Sequence, residues 1–153
     1  MKKIIISLLI ILNISFTPCF GASWVQIDEN HFIDKDSIKI YVDDNGYINH
    51  NKRIFWIKDK DENTYKDVEK LTGKNIEYGL SQYIIDYSNN TITTKAGLTY
   101  NKDGNVVSNY SYKDFQLKYD SIAPNSNAEL WAKLVKKPRL LKKAYKLQIS
   151  DSK

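Results

Sequence analysis

The chain has 153 residues and a formal net charge of +5, a length that holds one domain, or one domain with an appendage. Hydrophobic residues make up 42%, charged residues 27% and aromatics 12%, with 11 tyrosines among them, which excludes a disordered or collagen-like chain. One Cys and two His exclude a multi-disulfide scaffold and a Cys-rich zinc module, and leave few ligands for a transition metal.

The N-terminus reads as an address. Lys2 and Lys3 precede an apolar run from Ile4 to Ile14, broken only by Ser7 and Asn13, and Ser15 to Gly21 is polar or small apart from Phe16, Pro18 and Phe20. This three-part layout predicts a secretory signal peptide over 1–21. The run stops after about a dozen residues, short of the roughly 20 that a spanning helix needs. Cleavage after Gly21, or one or two residues later, starts the mature chain at or near Ala22, and Cys19 leaves with the leader. The alternative, a lipid on Cys19, is opposed by Pro18 beside the cleaved bond. A mature chain without Cys has no disulfide and is held by packing.

Turn residues then recur at short spacing. Asp43-Asp44-Asn45-Gly46, Ser88-Asn89-Asn90 and Lys102-Asp103-Gly104-Asn105 each separate runs rich in Ile, Val, Thr and Tyr. Such runs suit a pleated, half-buried surface, and the turns between them make antiparallel pairs. The pattern predicts a meander of strands at 24–27, 31–34, 37–42, 47–58, 76–87, 91–100, 105–112 and 115–119. Between the fourth and fifth, residues 59–74 are rich in Lys, Asp and Glu, and form either an exposed loop or a short surface helix around 63–71.

Ser126 and Glu129 have the spacing of a capping box, in which the serine accepts from the N3 amide and the glutamate reaches back to the N-cap amide. Trp131, Leu134 and Val135 follow at helical spacing. This predicts a helix packed on one face of the sheet, ending or kinking near Pro138. The fold class is therefore α+β, mainly β, an antiparallel meander sheet with a C-terminal helix on one face.

The tail differs again. On a helix from 139 to 148, Arg139, Lys142, Lys143 and Lys146 share one side, and Leu140, Leu141, Ala144, Tyr145 and Leu147 the other. These four cations are the candidate binding residues for an anionic glycan or lipid surface. The competing reading is a second helix docked by its apolar side, with a solvated basic face. The organisation is then a leader over 1–21, a β-rich domain over 22–137 and a basic amphipathic tail over 138–153.

Catalytic chemistry is sparse. His31 and Asp34 point to opposite faces of a strand, and His50 sits in the polar stretch Asn49-His50-Asn51. No nucleophile elbow, phosphate-binding loop, dinucleotide fingerprint or zinc-protease motif occurs. Asp59-Lys60-Asp61-Glu62-Asn63 opens like a calcium loop, but Thr64 stands where glycine is needed and Lys70 where glutamate is needed. Neither an enzyme, a metal, a cofactor nor a nucleic-acid partner is expected.

Taken together, several short elements resemble the bacterial surface-adhesin protein E family. They are the opening Trp24-Val25-Gln26-Ile27, Phe32-Ile33-Asp34 with Ser37-Ile38, and Ile84-Ile85-Asp86. Thr99-Tyr100 with Gly104-Asn105-Val106-Val107, and Ile122-Ala123-Pro124-Asn125-Ser126 leading into a helix, complete the series over about 24–136. The resemblance implies a small antiparallel sheet with a packed C-terminal helix. It also implies a periplasmic or outer-surface location and non-enzymatic, adhesin-like binding of host matrix or serum proteins, with a homodimer open. The rival reading is a periplasmic structural or regulatory protein with no host ligand. The family often carries a Cys after the central Asp and another at the helix end. Here Tyr87 follows Asp86 and the helix ends in Val135-Lys136-Lys137, so packing by Trp131, Leu134 and Val135 is expected in place of a disulfide worth roughly 2–4 kcal/mol.

The charge divides unevenly. The leader carries +2, and residues 136–153 carry +6 from seven basic residues against Asp151, which leaves residues 22–135 at −3. An anionic partner is to be sought at the tail, not across the sheet.

Overall fold

The computed structural model describes residues 22–141. Eight strands form one antiparallel sheet: β1 (Trp24–Gln26), β2 (His31–Asp34), β3 (Lys39–Val42), β4 (Ile48–Asp59), β5 (Tyr78–Asp86), β6 (Thr91–Tyr100), β7 (Val106–Ser111) and β8 (Asp120–Ser121). Helix α1 (Lys66–Thr72) follows a 3-10 turn at Glu62–Tyr65, and helix α2 (Asn127–Lys136) follows β8. The fold class is the expected one, mainly β with a C-terminal helix.

The order departs from a plain meander at two places. The long strand β4 shares its outer edge between two partners, β3 along its first half (Val42 opposite Ile48) and β2 along its second (Ile33 opposite Ile57). In the same way β6 pairs β8 at its start and β7 at its end. The expected strand at 115–119 is replaced by a 3-10 turn at Asp114–Gln116 and the two-residue β8. The charged stretch 59–74 resolves into the 3-10 turn and α1, the helical one of its two readings.

Local chemistry explains the turns. At the β3–β4 hairpin the Asp43 carboxylate accepts from the amides of Asn45 and Tyr47 at 2.9 and 2.8 Å, and Gly46 takes φ +87°, a conformation that glycine adopts without steric cost. At the β5–β6 turn Asp86, 5% exposed, accepts from the Ser88 and Asn89 amides and the Asn89 side chain. Asp34 accepts from the amides of Ser23 and Asp36, and the Ser37 hydroxyl donates to the Asp34 carbonyl while accepting from Trp56. The Asp and Ser of the family-like elements thus close turns and tie strand ends.

A bulge in β6 frees Lys95 from the β5 ladder, since Gln82 opposes Ala96 but Tyr83 opposes Thr94. Such a bulge re-aims a side chain. Lys95 reaches Asp44 at 3.0 Å and also contacts Asp114. Asp44 and Asp114 each accept the other's backbone amide, at 2.9 and 2.6 Å, and the Tyr41 hydroxyl donates to Asp114. This latch pins the 113–121 segment over the sheet face bearing Ile84, where Thr93 donates to the Lys118 carbonyl at 2.6 Å.

The opposite face carries the main core. Ile33, Phe55, Ile57 and Ile85 pack against Ile122 and against Trp131, Leu134 and Val135 of α2, the face predicted for that helix. The Ser126 hydroxyl accepts from the Glu129 amide at 3.2 Å as expected. The glutamate instead accepts from Asn125 at 2.8 Å, because the Ser126 amide is already engaged by the Ala123 carbonyl. Beyond Pro138 a further helical turn begins, and Leu141 is 1% exposed within the same core cluster.

Candidate functional site

Arg139 is exposed on the turn that follows α2. Lys142, Lys143 and Lys146 lie outside the described residues, as do Cys19 and the rest of the leader. Leu141 is buried, whereas Leu140 on the same side is 38% exposed, so of the described apolar side only Leu141 docks.

A different site takes shape on the core face of the sheet. α2 covers β2, β4 and the end of β5, while the 3-10 turn and α1 fold back over the other end of β5. Between them lies a cavity of about 330 Å³. Its polar wall is His31 and Asp59, paired residues on β2 and β4. Its aromatic walls are Tyr65, Tyr83, Tyr110 and Trp131, and its floor is crossed by Ser81, Gly97, Thr99 and Ser108.

Two glycines shape this floor. A Cβ at Gly79 would overlap the ring and hydroxyl of Tyr65, and one at Gly97 would come within 2.5 Å of the Tyr110 ring. Glycine at these positions lets both tyrosines lie directly on the backbone of the sheet. Tyr65 is 9% exposed, whereas Tyr110, on the edge strand β7, is 44% exposed. Burial pushes the Tyr65 hydroxyl well above the ordinary tyrosine value, with the nearby Asp59 carboxylate adding to the rise. Burial likewise raises Tyr83 and Tyr110. All three hydroxyls are neutral at physiological pH and serve as hydrogen-bonding groups.

His31 is more engaged than the sequence implied. Its Nδ1 lies 2.8 and 3.0 Å from the two carboxylate oxygens of Asp28, and its Nε2 lies 3.8 Å from Asp59. Asp34, the nearer carboxylate in the strand, is occupied by backbone amides instead. The imidazole meets Trp131 in a tilted contact at 5.4 Å and 59°, and Trp131 meets Tyr83 at 5.1 Å and 48°. Burial opposes ionisation of Asp28, but the Asn30 amide and the His31 ring and amide hold its carboxyl below the usual range. The indole Nε1 of Trp131 has neither a hydrogen-bond partner nor exposed surface among the described residues.

The remaining candidates play local parts. His50 is exposed on β4. In the run resembling a calcium loop, Asp59 accepts from the Asp61 amide, and Asp61 from the amide and side chain of Asn63. The carboxylates therefore cap the turn into α1. No helix among the described residues is long and apolar enough to cross a membrane. The cavity itself escaped sequence reading, since its walls come from seven separate segments, and only the pairing of β2 with β4 brings His31 to Asp59.

No protein-family profile matches the chain, and no curated protein sequence matches it. Solved structures do. Crystal form II of Haemophilus influenzae protein E superposes with a TM-score of 0.50 at 15% identity, covering 77% of this chain and 91% of that one. A second structure of Haemophilus influenzae protein E gives 0.47 at 16%, covering 77% and 87%. Protein E from the non-typeable organism gives 0.46 at 15%, covering 76% and 78%. The chain thus shares a protein E-like fold, and at these identities the likeness speaks for fold alone.

Proposed function

We propose that this chain is an exported, non-enzymatic envelope or surface protein that binds a macromolecule in the manner of an adhesin. The observation that carries the reading is the protein E-like fold spanning 91% of the solved protein E chain, in a sequence whose elements follow the order of that family. The leader-like N-terminus supports export of the form beginning at Ala22, to the periplasm or the outer surface. Host matrix or serum proteins, or an anionic glycan or lipid surface, are the partners this reading names. Arg139, Lys142, Lys143 and Lys146 are the proposed contact for an anionic one.

Fractionation of the producing cells, with the intact mass of the purified protein, tests export, the cut site and the state of Cys19 together. A cytoplasmic protein with an intact N-terminus would end the reading. The tail is tested by binding to heparin and to anionic vesicles at low and raised salt, with and without residues 142–153. That truncation spares Leu141, which is buried in the core cluster. Loss of salt-sensitive binding is the expected result, and equal binding by the shortened chain would remove the tail from the proposal. Absence of any macromolecular partner in the native envelope would favour the structural or regulatory alternative.

A further inference from the structure

The cavity between α2, the 62–65 turn and the sheet has an electrostatic character of its own. No Lys or Arg lines it. Its wall is built on Asp59, whose side chain is 15% exposed, with Asp28 behind His31. The two carboxylates outnumber the imidazole, so the wall is anionic whether or not His31 carries a proton. The neighbouring lysines are held elsewhere. Strand alternation sends Lys58 and Lys60 to the face opposite Asp59, where Lys58 lies 3.9 Å from the centre of the Tyr78 ring and Lys60 5.6 Å from that of Phe32.

The other walls are electron-rich rings, neutral hydroxyls and the aliphatic side chains of Ile57, Val68, Leu80 and Leu98. Aromatic rings attract a cation through their quadrupole, and more strongly where water is thinned. Hydroxyls of Ser and Tyr offer lone pairs to an ammonium group. An anion would face the Asp59 carboxylate with no lysine or arginine to offset it, and a wholly apolar ligand would strip water from Asp59 and leave it only the Asp61 amide and the more distant His31 ring, which is costly.

We propose that this cavity is a cation site that takes an alkylammonium group. The ammonium sits against Asp59 and the methylenes lie along Tyr65, Tyr110 and Trp131. The source is the lysine side chain of a partner protein or a free small amine. The proposal stands on the cavity alone, not on export or the tail, so its failure leaves the fractionation and vesicle tests untouched.

The test is a titration of the isotope-labelled chain from Ala22 to Lys153, followed by NMR. The probes are Nα-acetyl-lysine methylamide, its norleucine and glutamate counterparts, and n-butylammonium. The lysine probe is expected to give saturable shifts centred on Thr99, Tyr110 and the Trp131 indole. The norleucine probe should bind about tenfold more weakly, as loss of one charge-assisted contact implies, and the glutamate probe should not bind. Equal affinity for lysine and n-butylammonium would point to a free amine. A tighter lysine probe would point to a protein partner. Asp59→Asn should weaken the lysine probe about tenfold. Thr64→Lys places a fixed ammonium at an exposed rim position, away from the core, and should weaken it about fivefold or more by like-charge repulsion. Equal shifts from lysine and norleucine probes, or undiminished binding in a folded Thr64→Lys protein, would overturn the proposal.

Discussion

The Tyr87 hydroxyl donates to the Ala132 carbonyl at 2.9 Å. Tyr87 is the residue after Asp86, where the family that the sequence resembles often carries a cysteine. The position still ties the sheet to α2, by a hydrogen bond instead of a covalent one. Lys136 adds to the tie, its ammonium 5.2 Å from the centre of the Tyr87 ring. Tyr87→Phe removes the donor and keeps the ring. The carbonyl lies inside a helix, where it retains its own backbone partner, so the expected cost is about 0.5–1.5 kcal/mol. Tyr87→Ala also strips the ring from the core edge and should cost about 3 kcal/mol or more. Urea unfolding measures both, and equal midpoints for the two variants would show that the ring contributes nothing.

Packing carries the rest of the tie. Trp131 is 7% exposed and touches both His31 and Tyr83, and Leu141 closes the same cluster from beyond Pro138. Trp131→Ala is expected to cost about 3–5 kcal/mol and Leu141→Ala about 2–5 kcal/mol. For a domain of this size the tryptophan variant should melt roughly 10 °C below wild type or lower. A Tm within 2 °C of wild type would remove Trp131 from the account. A chain ending at Lys137 lacks Leu141 altogether and should be destabilised at least as much as Leu141→Ala.

These residues show where sequence patterning carries information. Seven of the eight strands were legible because Asp-Gly, Asn-Gly and Asn-Asn turns bracket β-branched and aromatic runs, and α2 because Ser126 and Trp131, Leu134 and Val135 mark its start and its apolar face. The segment 115–119 was misread for a definite reason. Phe115-Gln116-Leu117-Lys118-Tyr119 alternates like a strand, yet Phe115 is 88% exposed. The conformation there is set by Asp44 and Asp114, whose mutual amide bonds join residues 70 apart in the chain. No local pattern encodes such a contact. The cavity was illegible for the same reason, since His31, Asp59, Tyr65, Tyr110 and Trp131 meet only through sheet topology.

The tyrosine seats on the sheet predict unequal effects from identical substitutions. Gly79→Ala drives a methyl into Tyr65, which is buried and cannot withdraw. Gly97→Ala meets Tyr110, whose edge-strand side chain can swing into solvent. Gly79→Ala should therefore cost about 2–3 kcal/mol, at the upper end of overpacking penalties, and Gly97→Ala about 1 kcal/mol. Combining Gly97→Ala with Tyr110→Ser should relieve the clash, giving a coupling of about 0.5 kcal/mol or more in a double-mutant cycle. Thermal denaturation of the four proteins measures it, and strict additivity would mean that Tyr110 does not lie over Gly97 in solution.

The Lys95 latch predicts how stability follows pH. Burial works against the Asp114 charge, but Lys95, Tyr41 and the Asp44 amide hold its carboxyl below the ordinary value, and Asp86 is held low against the same penalty by Asn89, the Ser88 amide and Lys52. A carboxyl lowered on folding stabilises fully above the unfolded pKa, near 3.9, and loses that contribution as pH falls through its folded value. On the alkaline side burial opposes the Lys95 charge, yet Asp114 and Asp44 raise it above the ordinary lysine value, and burial pushes Tyr87 up to about 12. Both kinds of group stabilise below their unfolded pKa values, near 10, and cease to do so as pH rises through the folded ones. Tm should therefore be level between about pH 5 and 9 and fall on both sides. Asp114→Asn should lower Tm at neutral pH, at a cost of about 1–2 kcal/mol, and make the acid limb shallower. Absorbance at 295 nm, followed with circular dichroism, should show the buried tyrosines ionising only together with unfolding. An Asp114→Asn acid limb as steep as wild type would place the acid sensitivity at other carboxylates.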